Sequence, residues 1–395
     1  MKMQEVVVVA AKRTAIGSFL GSLKQTKAVE LVSMLTKSLL DETGVDKSLI
    51  DELILGQVLG AGCGQNVARQ ALINSGLSVE KTAFVVNMLC GSGLKAIELG
   101  YDAISLNRAD LLLCGGVENM SLAPFLLKNA RLGYKMGDQN LVDSMIKDGI
   151  WCALSDCHMG ITAENLAKKY GLSREEQDEF ALNSQLKAAK AIENKAFETE
   201  ILPLKIQDKK REFLFSEDEF VRKDANLEAL SRLKPAFDKN GSVTAGNSSG
   251  VNDGAAMLLL SSKEKALELN LPILATLKGF ASVGVEPNIM GIGAAFAAKK
   301  VLEKTHFSID DMDLIEANEA FAAQSLATLK ELKANANRVN INGGAIALGH
   351  PIGASGARIL TSLIYALRAR GKNLGLATLC VGGGQGIAAV LEIER

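Results

Sequence analysis

The chain has 395 residues, 48% of them hydrophobic and 23% charged, with a formal net charge of −1. That length is ample for a well-buried core and predicts two or three domains. Lys and Arg are scattered and nearly balanced by Asp and Glu, which excludes a polyanion-binding field and leaves neither nucleic acid nor a membrane as an expected partner.

In chain order, Val6-Val7-Val8-Val9 sits in a strand predicted from Glu5 to Ala10, an apolar run too short for a signal h-region. Val29 to Glu42 has helical spacing, and Leu53 to Leu59 is strand-like. A strand over Ala83 to Met88, a helix over Gly93 to Asn107 and a strand over Leu111 to Cys114 follow. Residues from about 120 to 247 are richer in charge and carry a helix from Arg174 to Lys195, opened by the capping box Ser173-Arg-Glu-Glu176. Val251 to Leu260 is again a strand. Alternating strands and helices predict an α/β protein. No stretch reaches the roughly 18 apolar residues that span a bilayer, so a cytoplasmic protein is expected.

The chain echoes itself. Ile54 matches Ile315, Gly93 matches Gly356 and Cys114 matches Cys380, in order and at similar offsets. The expected architecture is two similar α/β halves, residues 1–119 with 248–270 and residues 271–395, around an inserted subdomain at 120–247.

Four segments carry candidate chemistry. Cys90, in Asn87-Met-Leu-Cys-Gly-Ser-Gly, lies where a strand gives way to a helix whose N-terminus favours a thiolate, although a buried structural cysteine fits equally well. His350, one of three histidines, sits in a Gly-rich loop before a helix and is a candidate base; a turn histidine is the alternative. The echo places it near the position of Cys90 in the other half, within reach for a Cys–His pair. Cys380 precedes Val-Gly-Gly-Gly-Gln-Gly, a run that exposes backbone N–H groups but lacks the Lys-Ser or Lys-Thr of a phosphate loop. Asn318 follows a strand and opens a helix, where an Asn is often only a cap. The six cysteines form no CxxC pair and no histidine has ligand spacing, so reduced thiols and no metal are expected.

Taken together, Cys90-Gly-Ser-Gly, Asn318-Glu-Ala-Phe-Ala, Gly343-Gly-Ala-Ile-Ala-Leu-Gly-His350-Pro and Cys380-Val-Gly-Gly-Gly-Gln-Gly resemble the signatures of the thiolase family in order and spacing. The resemblance covers essentially the whole chain and, through His158-Met159, points to the short-chain branch. It implies two βαβαβαββ halves related by a pseudo-two-fold axis in an α/β/α/β/α stack, with the insert carrying coenzyme A. It also implies reversible Claisen condensation of two acetyl-CoA to acetoacetyl-CoA and CoA, through an acetyl-cysteine. In that chemistry Cys90 is the nucleophile, His350 its base and Cys380 the acid–base for the second substrate. Asn318 holds a water at the enolate oxygen, and the N–H groups of Cys90 and Gly382 form an oxyanion hole. His158, Met159, Met290 and Phe321 would frame the acyl group, Ser249 would bond the pantetheine arm and Arg222 would flank the adenine. No cofactor is implied, CoA entering as substrate and product, and a homotetramer is expected. A broader-range 3-ketoacyl-CoA thiolase, a ketoacyl-synthase-type condensing enzyme and a non-catalytic acyl-CoA-binding protein are the rival readings.

Overall fold

The structure is a computed structural model that describes residues 3–208 and 211–394; the chain's terminal residues 1 and 395, which bound the expected halves, lie outside them. Nine strands form one continuous path: β1 Val6–Arg13, β2 Glu52–Gly56, β3 Thr82–Val86, β4 Leu111–Asn119, β5 Asn252–Ser262, β6 Ala275–Gly284, β7 Leu314–Ala317, β8 Leu374–Val381 and β9 Gln385–Glu392. Their order is β7-β8-β9-β6-β1-β5-β4-β2-β3. Outward from β1, the contacts with β5 and then β4 are antiparallel, and those with β2 and β3 parallel. Outward from β6 the pattern repeats: antiparallel to β9 and β8, parallel to β7, then a parallel bridge from Ile315 to Val339. The two sets join where β1 and β6 pair antiparallel.

The register makes the repeat exact to the residue. β1 carries a bulge between Val8 and Ala10, and β6 carries one between Leu277 and Gly279. Counted from these bulges, Cys114 of β4 corresponds to Ala377 of β8; Cys380 lies three residues further on, so the cysteine–cysteine match read from the sequence was out of step. The glycine match holds. A Cβ on Gly93 would stand 2.9 Å from the backbone nitrogen of Ala357, and one on Gly356 would stand 2.4 Å from that of Leu94. The helices Ser92–Ser105 and Ser355–Ala369 therefore cross with their backbones in contact at that glycine pair.

These two helices are sandwiched by the sheet. Val6 and Val8 pack with Leu94, Ile97, Leu360 and Leu363 in a central core, whereas Val7 and Val9 point to a second core under the helix Ala28–Thr43. That is why β1 reads as an unbroken valine run: both faces are covered. A third core forms under the helix Gly293–Thr305, on the outer face of the second strand set.

β4 runs to Asn119, beyond the predicted end at Cys114. The sequence reading ends the strand just before Gly115-Gly116. In the fold a Cβ on Gly116 would strike the carbonyl oxygen of Gly353 at 2.1 Å, so the strand is glycine there to admit the loop that carries His350. The helix Arg174–Glu193 begins as predicted, with the Ser173 and Glu176 side chains capping each other's backbone N–H.

Candidate active site

The candidate residues lie at the carboxyl ends of the strands, where crossover connections leave a crevice. After β3 the chain enters a strained turn: Leu89 has φ 47°, in the left-handed region, and its N–H donates to Asn87 Oδ1 at 2.9 Å. Ser92 braces the turn by accepting from Met88 N at 2.8 Å and donating to Leu89 O at 2.7 Å. The outcome is that Cys90 faces a cavity instead of the core. A strained residue held by its neighbours beside a reactive group is a common feature of active sites.

Cys90 Sγ stands 3.3 Å from His350 Nε2. On the other side of the imidazole, Nδ1 is 2.6 Å from Ser355 Oγ and 3.4 Å from Asn318 Nδ2. Ser355 donates its hydroxyl hydrogen to Pro351 O at 3.0 Å. Its oxygen is therefore left to accept, which assigns the proton to Nδ1 and leaves Nε2 bare toward the Cys90 thiol. Asn318 is buried, and its Oδ1 has no hydrogen-bond partner among the described residues.

Burial is the largest influence on both members of the pair. It pushes the Cys90 thiol up to about 11, against the pull of N–H groups from Gly382 and from Cys90 itself, with Glu118 adding a further push upward. It pushes His350 down to about 3, with the Arg358 charge acting in the same direction. Burial thus favours a neutral thiol and a neutral imidazole over an ion pair. Cys380 is 1% exposed, and its thiol is raised first by burial and then by its neighbour Cys90. Its neighbour Cys90 lines the open cavity, and Cys380 itself does not.

The cavity is about 410 Å³ and mostly apolar. Cys90, His350 and Gly382 line it, as do Ile352 and Met120. His158, Met159, Met290 and Phe321 are further wall residues, and Ser249 and Arg222 line it too, Arg222 being exposed to solvent. Nine of the eleven residues picked from the sequence thus line one cavity, and the other two, Asn318 and Cys380, neighbour His350 and Cys90. His158 caps the helix Met159–Tyr170 by accepting from Gly160 N at 3.0 Å, and its ring stacks on Phe237 at 4.5 Å between centroids. Phe237 in turn meets Phe321 edge-on at 6.1 Å.

Three positions escaped the sequence reading. Ser355 looked like a generic helix start. Phe237 lies far from every motif, and only folding sets it on His158. Glu118 is fully buried and accepts from the N–H groups of Val58, Leu59 and Gly353 at 3.1, 3.0 and 3.0 Å, tying the end of β4 to the His350 loop. Burial pushes its carboxyl up to about 7 despite those three donors. A lone acid in Gly-Gly-Val-Glu118 offers no periodicity that would flag it. Among the described residues no cluster of His, Cys, Asp and Glu is arranged to hold a metal, and no helix is long and apolar enough to cross a membrane.

Known proteins share this fold over the whole chain. The thiolase N-terminal domain model matches residues 6–264 and the thiolase C-terminal domain model matches residues 271–393. The chain belongs to the thiolase family. It is 57% identical to an acetyl-CoA acetyltransferase of Pseudomonas aeruginosa, with 98% of this chain and 99% of that one aligned. An Escherichia coli acetyl-CoA acetyltransferase is 54% identical over 99% of both chains. The crystal structure of the Bacillus anthracis acetyl-CoA acetyltransferase superposes over the full length of both chains with a TM-score of 0.98 at 44% identity. The thiolase fold expected from the sequence is the fold observed.

Proposed function

We propose that the protein is an acetyl-CoA C-acetyltransferase that joins two acetyl-CoA into acetoacetyl-CoA and free CoA, and runs the reverse thiolysis. The observation that carries the reading is the Cys90 sulfur, 3.3 Å from the bare nitrogen of His350, at one wall of a narrow apolar cavity. The names of the full-length relatives support the same activity.

The proton account follows from the resting charges. His350 Nε2 takes the proton of Cys90, and the thiolate attacks the carbonyl of the first acetyl-CoA. The N–H groups of Gly382 and Cys90 already converge on this sulfur, where they also serve the oxyanion of the tetrahedral intermediate. Cys380 gives its proton to the departing CoA sulfur, which leaves acetyl-Cys90, imidazolium and a Cys380 thiolate. That thiolate removes an α-proton from the second acetyl-CoA. The enolate oxygen is held by the imidazolium and by a water on Asn318. The enolate carbon attacks the acetyl group, Cys90 leaves, and His350 returns the proton to it. Charge and protons balance over the cycle, and two cysteines are needed because one is an ester while the other carries the proton.

The ring stack of His158 on Phe237, closed by Phe321, supports an acyl pocket sized for a short group. Arg222 and Ser249, on the segment between β4 and β5, support binding of CoA over the inserted subdomain at 120–247. No prosthetic group enters this scheme. A hairpin with Phe125, Leu132 and Met136 63%, 86% and 95% exposed supports an oligomer, for which we propose a homotetramer. A cytoplasmic location is proposed from composition alone.

The test is loss of acetoacetyl-CoA in the presence of free CoA, followed by absorbance, with a long-chain 3-ketoacyl-CoA in parallel. Turnover of the short substrate alone is expected. No turnover by the intact protein would sink the reading, and equal turnover of the long substrate would move it to a broad-range thiolase.

A further inference from the structure

The hairpin leading into the acyl end of the cavity carries two cysteines that the mechanism does not use. Strands Trp151–Cys152 and Cys157–His158 pair antiparallel, and their register sets Cys152 opposite Cys157. Opposed residues of an antiparallel pair have Cα atoms about 4.5–5.5 Å apart, inside the roughly 4.4–6.8 Å that a disulfide spans. Both are free thiols in the structure.

Their surroundings differ in a useful way. Cys157 is half-buried, whereas Cys152 is 2% exposed. Burial pushes the Cys152 thiol up, but hydrogen bonds from Ser155, through its backbone and its hydroxyl, and from the N–H groups of Leu154 and Gly383 outweigh it and lower the thiol overall. Cys157 is raised by burial, and further by Cys152 and Asp156. A reachable sulfur thus stands opposite a sheltered one whose thiol is lowered by its hydrogen-bond donors, the two facing partners that thiol–disulfide exchange needs.

We propose that Cys152 and Cys157 form a modification site that closes to a disulfide by exchange with a small oxidised thiol, of the class of glutathione disulfide, and that closure disables the adjoining acyl site. Cys157 loses its proton and attacks one sulfur of the small disulfide, breaking its S–S bond and releasing one thiolate. The Cys152 thiolate then attacks the Cys157 sulfur of the mixed disulfide and expels the second. The two protons given up by the cysteines end on the two released thiols, and two electrons pass from the protein to the small disulfide.

Closure reaches the site from two sides. The Cys152 sulfur accepts from Gly383 N, next to Gly382, whose own N–H points at the Cys90 sulfur. Cys157 directly precedes His158, whose ring stacks on Phe237. Drawing the two sulfurs together pulls on the oxyanion loop and on the acyl wall at once.

The disulfide half of the proposal stands on the hairpin alone, and the loss of activity rests on the acyltransferase reading. The experiment treats the full-length protein with glutathione disulfide, blocks remaining thiols with iodoacetamide and digests with trypsin. The peptide Asp148–Lys168 contains these two cysteines and no other. The expected result is that this peptide loses two hydrogens and gains no alkyl group, while thiolysis falls about tenfold or more, as displaced reacting groups imply. Dithiothreitol reverses both changes, and Cys157→Ser keeps its activity through the same treatment. A doubly alkylated peptide in the inactivated protein overturns the proposal. So does a linked peptide at full activity, or inactivation of Cys157→Ser as fast as the parent. Absence of thiolysis before treatment would refute the acyltransferase reading, while the peptide mass still decides the disulfide.

Discussion

Replacing Ser355 by Ala tests how the base is prepared. Ser355 touches no part of the open cavity, yet it is the acceptor for His350 Nδ1–H at 2.6 Å, with its own hydrogen committed to Pro351 O. Without the oxygen, two outcomes compete. The imidazole keeps its tautomer with a buried N–H unpaired, which costs about 1–3 kcal/mol. Alternatively, the proton moves to Nε2 and Nδ1 accepts from the Asn318 amide, 3.4 Å away. In the second case the nitrogen facing Cys90 no longer takes a proton. Either way the barrier to thiolate formation rises by about 1.4–2.8 kcal/mol, a loss of about 10- to 100-fold in kcat with little change in KM. Steady-state acetoacetyl-CoA thiolysis, with a thermal midpoint measured on the same samples, separates this from unfolding. A folded Ser355→Ala protein with kcat within about twofold of the parent would refute the tautomer assignment, since a positioned general base contributes far more than that.

Other outcomes follow from the same structure. Cys380→Ser mixed with acetyl-CoA should gain one acetyl group by intact mass and yet release no acetoacetyl-CoA, whereas Cys90→Ala should gain none; acetylation of the Cys90→Ala protein would displace Cys90 as nucleophile. Gly356→Ala should lower the thermal midpoint more than Gly93→Ala, because its Cβ meets backbone at 2.4 Å against 2.9 Å, and overpacking costs about 1–3 kcal/mol. Equal midpoints would mean that the crossing helices have room to part. His350 is neutral in the fold down to about 3, whereas the unfolded imidazole takes its proton near 6.5. Its contribution to stability is therefore present above the unfolded value and is lost as pH falls toward 3. Urea unfolding of the parent against His350→Asn should show about 2 kcal/mol of differential loss between pH 7 and pH 5. Cys90 has the opposite sign. Its thiol is raised to about 11, so the stability it contributes is present below about 9 and is lost as pH rises through 11. Alkylation of Cys90 by iodoacetamide should accelerate across the same interval, and a plateau by pH 8 would indicate a thiolate–imidazolium pair instead.

The parts legible in the sequence were those encoded by short-range pattern. The helix over Ala28–Thr43 shows its buried stripe at Leu31, Val32, Leu35 and Leu39, and the valine run of β1 announces a strand covered on both faces. The Gly-rich loops around Cys90, His350 and Cys380 were visible because their residue types are unusual in that order, and nine of the residues chosen from them and their surroundings line the observed cavity. Pattern failed where a residue answers to a distant partner. The strand read as ending at Cys114 runs on through Gly115-Gly116, where the missing side chains let Gly353 approach. Cys114 and Cys380 look equivalent, but the bulges of β1 and β6 set the true register three residues away.

Local sequence specifies which chemistry is present: a cysteine at a strand-to-helix turn, a histidine in a glycine loop, a second cysteine and an amide, each tied to a local backbone motif. Their contacts, and the direction in which their protonation is pushed, come from the packing of distant segments. The Nδ1–H tautomer depends on Ser355 and Pro351, and the neutral Cys90–His350 pair depends on burial by elements from both halves of the chain. The facing of Cys152 and Cys157 depends on the register of a hairpin two residues deep. Local spacing encodes which groups a segment carries, but the dielectric and the hydrogen-bond partners around them are made by residues far away in sequence, and these set what the groups do.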